Sequence, residues 1–205
     1  LQYRDYAVWQ EHQDRAEDMQ FWAEQLADLA APLLLPHDLA PVSEVHFHGD
    51  RRSLELGADR LAGLRSLAAR NHTSLSNVLF AIFKLFLFQL TRQDDLCVGM
   101  VVANRGQAEL EPLIGIFVNL LPIRTRLSPD LEFDALLDLV ARSSYAALDH
   151  QDYPYDLIMR DLNSGHADGR QALVNVVYSF QNEFDGRVKQ KPIVDSTEPK
   201  RIEAF

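Results

Sequence analysis

The chain has 205 residues, 47% of them hydrophobic and 24% charged, and its 30 Asp and Glu against 20 Lys and Arg give a formal net charge of −10. That length allows one sizeable core, since folded domains most often run about 100–150 residues. The acidic surplus argues against nucleic-acid or anionic-membrane partners, whose phosphates call for an excess of Lys and Arg. A single cysteine, Cys97, excludes an internal disulfide and a cysteine-cluster metal site, and it fits a reducing compartment, the cytoplasm. The first residues, Leu1 to Tyr6, hold no initiator Met and neither the basic segment nor the apolar run of a signal peptide, so the chain is expected to begin inside a longer protein.

From Tyr3 to Leu29 the residues Tyr6, Trp9, Phe21, Trp22, Leu26 and Leu29 mark one or two amphipathic helices, with a polar interval near Glu11 to Asp18. Pro32, Pro36 and Pro41 then stop the helix, which makes residues 30–44 an extended linker. Val45 to Leu56 alternates as a strand should, and Ala58 to Arg70 returns to helical spacing. Thr73 or Ser74 is placed to cap the next helix, which is apolar nearly all round from Leu75 to Leu90 and is expected to be buried on most faces. That run is shorter than the roughly 20 residues a membrane span needs, and Ser76, Asn77, Lys84 and Gln89 interrupt it.

Gln93-Asp94-Asp95 ends that helix, and Leu96 to Val102 is the Val-rich run of a central strand. Leu113 to Arg126 reads as a turn and a strand, Phe133 to Leu148 as an amphipathic helix, and Leu173 to Phe180 as another strand. Strands and helices alternate, so the class is mixed α/β. Beyond Asn182 the pattern fades into a polar tail.

Several residues invite functional readings that have simpler rivals. His46 and His48 would share one face of a strand, yet no third ligand follows at suitable spacing, and a solvated edge strand is the better reading. Tyr6 and Trp9, and likewise Phe83, Phe86 and Phe88, need only a core to explain them. His150-Gln151-Asp152 suggests a His and Asp dyad, but it follows a helix and precedes Pro154, where a structural cap is the more economical role. Glu109 and Glu111 before Pro112 read as a solvated turn.

Several blocks in one order carry a family resemblance: Tyr3-Arg4-Asp5-Tyr6-Ala7-Val8-Trp9-Gln10, Phe21-Trp22 with Leu26, and Leu35-Pro36-His37-Asp38. Then come Asp94-Asp95-Leu96-Cys97-Val98-Gly99 leading to Asn104-Arg105, and Leu113-Ile114-Gly115-Ile116-Phe117-Val118-Asn119-Leu120-Leu121-Pro122-Ile123-Arg124. His150-Gln151-Asp152-Tyr153-Pro154-Tyr155-Asp156 and the stretch from Arg170 to Asn182 complete the set. Together they resemble the condensation domain of nonribosomal peptide synthetases over residues 1–182, with 183–205 as a truncated polar tail of the same domain. The chain departs from the family at Leu120, where Thr is usual, at Asp161 to Asp168, and at Gly169-Arg170-Gln171-Ala172-Leu173-Val174, which replaces Ser-Arg-Asn-Pro-Leu-Phe. The family's His-His-x-x-x-Asp-Gly motif does not occur in the 205 residues.

The resemblance implies a chloramphenicol-acetyltransferase-like fold, here mainly the C-terminal lobe, with a mixed sheet covered by helices. It implies amide formation between a donor carrier-protein thioester and an acceptor aminoacyl carrier protein. No cofactor would be bound directly, because phosphopantetheine is carried by the partner carrier proteins. The partners would be those carrier proteins, neighbouring synthetase domains and the N-terminal lobe. The catalytic histidine would come from that other lobe, so this chain alone is expected to be inactive. Arg105 would make the inter-lobe salt bridge to the motif aspartate. Asn119, Arg124, His150, Gln151, Asp152 and Arg170 are the channel-lining or motif candidates, and Asp5, Tyr6, Trp9, Gly115, Phe117 and Pro154 would be structural. The alternatives are a noncatalytic lobe that docks carrier proteins or scaffolds a megasynthase, and last an epimerisation domain.

Overall fold

A computed structural model of the chain describes residues 1–29, 32–37, 49–163 and 173–181. The polar interval after Glu11 parts two helices, α1 (Tyr3–Glu11) and α2 (Ala16–Gln25). Helix α3 (Ala58–Arg70) leads into α4 (Leu75–Thr91), whose N-cap is Ser74, its hydroxyl accepting from the Asn77 amide at 3.1 Å. Arg92, at φ 60°, ends α4 in the left-handed region. The remaining elements are β1 (Asp95–Val102), β2 (Asn119–Arg126), α5 (Phe133–Asp149), α6 (Tyr155–Asn163) and β3 (Val177–Tyr178).

The Val-rich run is the middle strand of a sheet ordered β2-β1-β3. It pairs antiparallel with β2, from Asp95 opposite Arg126 to Val102 opposite Asn119, and parallel with β3 at Gly99 and Met100. Gly99 sits at the waist of this sheet. A Cβ there would come within 2.8 Å of both Leu120 and Val174, too close for any side chain without displacing its neighbours. Helices α4 and α5 pack on each other, α5 also against β2, and the core is built from residues such as Phe80, Leu121, Ile123, Leu137 and Ile158.

Three expectations need correction, and one helix is unforeseen. Helix α6 was not legible, because Pro154 reads as a turn signal; instead Pro154 precedes the first turn, and its carbonyl accepts from the amides of Leu157 and Ile158. The strand expected over Leu173 to Phe180 pairs only at Val177–Tyr178. Residues 49–56 form no strand, while 45–48, with His46 and His48, lie outside the described residues, as does the tail 183–205. Finally, Phe86 is not core: α4 is buried on most faces, as expected, but Ile82, Phe86 and Leu90, four residues apart, leave an exposed apolar stripe. Among the described residues no single helix is long and apolar enough to cross a membrane.

The buried side of α4 carries an ammonium group. Lys84 is 0% exposed, its Nζ donating to Ile123 O and Thr125 Oγ1, both at 2.7 Å, and lying 4.7 Å from the Phe80 ring centroid. Burial pushes its pKa down to about 7, while the nearby Cys97 and Asp95 pull it up. Folded protein therefore holds this proton less tightly than the unfolded chain does, and stability from this group rises with pH above 7. Cys97, pushed by burial up to about 12 from 9.0, opposes the rise only above pH 9. Urea unfolding is expected to show a gain of about 2 kcal/mol between pH 7 and 9. Lys84→Met should flatten that slope; an unchanged slope would contradict the assignment.

Candidate functional site

The site grows from the way α1 grips the segment before β2. Along residues 113–118 the chain alternates: Phe117 turns inward at 3% exposure, while Ile114, Ile116 and Val118 point out, at 96%, 80% and 60%. Tyr3 meets the Phe117 ring edge-on at 5.2 Å between centroids, Tyr6 lies 4.7 Å from it, and the Tyr3 hydroxyl donates to Ile116 O at 2.9 Å. Gly115 is required here, because a Cβ would collide with the Tyr3 ring, 2.7 Å from its Cγ. Asp5 holds the start of α1, its carboxylate accepting from the Gln2 amide at 2.9 Å. Tyr6 is buried, but Trp9 keeps 38% of its surface and is not the core anchor its spacing suggests.

Arg105 braces this segment from behind. Its Nη1 donates to the carbonyls of Leu110 and Leu113, the latter at 2.9 Å, and its guanidinium lies 4.1 Å from the Phe117 centroid. The preceding Asn104 is buried with φ 49°, a left-handed conformation that Asn tolerates better than most residues.

The second half of the site is the turn between α5 and α6, and Asn119 fastens it to β2. Asn119 Nδ2 donates to the carbonyls of Gln151 and Tyr153, each at 2.8 Å, and its Oδ1 accepts from the amides of Leu120 at 2.9 Å and Tyr155 at 3.1 Å. The last of these satisfies an amide at the start of α6 that has no partner within the helix. His150 is the C-cap of α5, and its ring is 2.6 Å from Asp18 Oδ1 and stacked on Phe21 at 3.9 Å. Its carbonyl takes the Trp22 indole N–H at 3.2 Å. The histidine thus pairs with an aspartate on α2 rather than with its near neighbour Asp152. Burial, and then Asp18, raise the Asp152 carboxyl, against a hydrogen bond from Asn104 that lowers it. Burial, with Asp152 next, likewise raises the Tyr6 hydroxyl, whose oxygen accepts from Gln10 Nε2 at 3.3 Å.

Where the Phe117 segment meets this turn lies an open cavity of about 380 Å³, bordered by Tyr6, Asn104, Phe117, Asn119, Tyr155 and Asp156. Pro154 also lines it. Arg124 does not: it sits toward the other end of the ladder, forked onto Asp95 at 2.6–3.1 Å and reaching the carbonyls of Gln25, Ala27 and Asp28 at the end of α2. Gln151 contributes its carbonyl, and Arg170 lies outside the described residues. Among the described residues the lining holds no histidine and no cysteine; it offers amides, the Tyr6 and Tyr155 hydroxyls and, as its one possible base, the Asp156 carboxylate. Sequence reasoning named Asn104 within the Asn104-Arg105 block but gave it no role at the site. It missed Asp18, for which no local clue exists, since it meets His150 across 132 residues.

Removing the Asn119 amide takes the partner described from two carbonyls and two amides. Asn119→Ala is expected to cost about 2–4 kcal/mol in urea unfolding, and Asn119→Asp more, since a carboxylate would face the Gln151 and Tyr153 carbonyls. Equal stability of Asp and Asn here would contradict the bonding described. Gly115→Ala should cost about 1–3 kcal/mol through the clash with Tyr3, and Tyr3→Ala should largely relieve it.

The comparisons with known proteins agree with this geometry. The family model described as Condensation domain matches residues 1–203. Surfactin synthase subunit 1 of Bacillus subtilis (strain 168) is 35% identical over 189 residues, 91% of this chain and 5% of that protein. Tyrocidine synthase 2 of Brevibacillus parabrevis is 32% identical over 187 residues, 89% of this chain and 5% of that protein. The chain therefore spans only a small fraction of the length of these curated relatives. Among solved structures, the X-domain from teicoplanin biosynthesis superposes with a TM-score of 0.76 at 26% identity, covering 86% of this chain and 41% of that one. The starter condensation domain of rhizomide synthetase gives 0.64 at 26%, covering 80% and 35%. The mixed sheet with its covering helices is thus the chloramphenicol-acetyltransferase-like fold of condensation domains, and the chain belongs to the condensation-domain family of nonribosomal peptide synthetases.

Proposed function

We propose that these residues are one lobe of a cytoplasmic condensation enzyme that joins the thioester on a donor carrier protein to the amine on an acceptor carrier protein. Their phosphopantetheine arms would bring both groups to the cavity beside Phe117 and Asn119. The observation that carries the reading is the match of the condensation family over residues 1–203, on a lobe whose family blocks pack against one another around that cavity. The rhizomide synthetase domain was solved with C8-CoA and Leu-SNAC, which is compatible with an acyl and an aminoacyl partner for a domain of this kind.

In this reading the lobe positions and the other lobe supplies the histidine, whose general-base help is typically worth ~10²–10⁴-fold. Arg105 is suited to hold that lobe. Its Nη1 is spent on local carbonyls, but Nε and Nη2 make no hydrogen bond among the described residues, leaving one edge of the fork for a carboxylate.

The test is amide formation between loaded carrier proteins, followed by mass spectrometry. The 205-residue chain alone is expected to give no product, and the same residues within the proposed synthetase are expected to give the amide. In that synthetase Arg105→Ala should lower the rate by roughly 10–100-fold, the worth of one charge-assisted hydrogen bond, with Arg105→Lys restoring only part of it. Product from the isolated chain would overturn the division of labour. Absence of product from the synthetase, with carrier proteins still bound, would favour a docking or scaffold lobe instead.

A further inference from the structure

We propose that a second cavity, of about 200 Å³ between the first turn of α4, the end of β1, α5 and β3, binds a small uncharged ligand bearing an amide group. It is separate from the cavity beside Phe117, with Val101 bordering both. One wall is polar and neutral, made by Ser76, Asn77, Tyr145 and Tyr178, and the facing surface is apolar, with Met100 and Leu148. Among the described residues no Lys, Arg, His, Asp or Glu lines it, so an ion would enter without a counter-charge from them.

The polar wall offers acceptors as well as donors. Asn77 is 4% exposed, and its Nδ2 donates to Thr73 Oγ1 at 3.0 Å, while its Oδ1 accepts no hydrogen bond among the described residues. The Tyr178 hydroxyl donates to Ser76 O at 2.9 Å, which leaves its oxygen lone pairs to accept. The Asn77 oxygen is open to accept, and a ligand N–H would supply a donor. At roughly 30 Å³ per water the cavity holds the equivalent of about seven waters, which suits a neutral molecule of about ten non-hydrogen atoms. The assignment rests on this cavity alone and stands or falls independently of amide-forming activity.

The experiment is ligand-detected saturation-transfer NMR on the 205-residue chain, with N-acetyl-L-alanine N-methylamide as probe and N-acetyl-L-alanine, its carboxylate counterpart, as control. The neutral probe is expected to bind in about the millimolar range, near the ceiling for so small a ligand, and to show contacts to the Met100 methyl group. The carboxylate should bind more weakly. Asn77→Ala should weaken the neutral probe by about two- to tenfold, the effect of one neutral hydrogen bond. Because Asn77 also serves the start of α4, the contact map and the carboxylate comparison on the unsubstituted chain decide the matter if that variant fails to fold. No saturation transfer at millimolar probe, contacts to Phe117 in place of Met100, or equal binding of the carboxylate would each overturn the proposal.

Discussion

The organisation of this chain around its larger cavity depends on one side chain placed at the entry to β2. Asn119 is both the first residue of the strand and the partner of three backbone groups in the α5–α6 turn, so two segments more than thirty residues apart are held as one surface. Only an amide serves both purposes, because the turn presents two carbonyls that need donors and one N–H that needs an acceptor. Everything around the cavity follows from that fastening. With the turn held, His150 lies over Phe21 and beside Asp18, and α2 is drawn against α6. With the strand entry held, Phe117 is held between Tyr3, Tyr6 and Arg105.

The same arrangement gives several residues of the family's recognisable blocks structural work. Arg124, His150 and Asp5 are the residues a reader would first suspect, and each is occupied in holding helix ends or strands together. Their types suit that work. Arginine forks onto Asp95 while capping α2 with its remaining donors, and histidine offers a ring to stack as well as a nitrogen to bond.

Periodicity made much of the fold legible. The bounds of α3, α4, β1 and α5 fall within about a residue of where apolar spacing puts them, because each buries a face long enough to leave a pattern. What was illegible has a physical reason in each case. Helix α6 begins at a proline turn, and its first amide is satisfied by a side chain from another strand, which no local window reveals. The exposed stripe of Ile82, Phe86 and Leu90 looks like core in sequence because apolarity alone does not say what covers it. Lys84 misleads in the opposite direction: it reads as a polar break in an apolar run, yet it is fully buried and bridges α4 to the carbonyl of Ile123. For the site, the resemblance picked out Asn119 and Phe117 at the cavity, but the partner of His150 was set by topology and not by spacing.

The central claim is that His150 fastens rather than catalyses, and it is tested most directly by separating stability from turnover. In the proposed synthetase, His150→Asn would be compared with the unsubstituted protein for both thermal unfolding and the rate of amide formation per folded molecule. The account predicts a lower Tm, through loss of the Asp18 contact and the Phe21 stacking, with the rate per folded molecule unchanged. A rate that collapses while Tm stays where it was would contradict it, and would place the chemistry on this lobe.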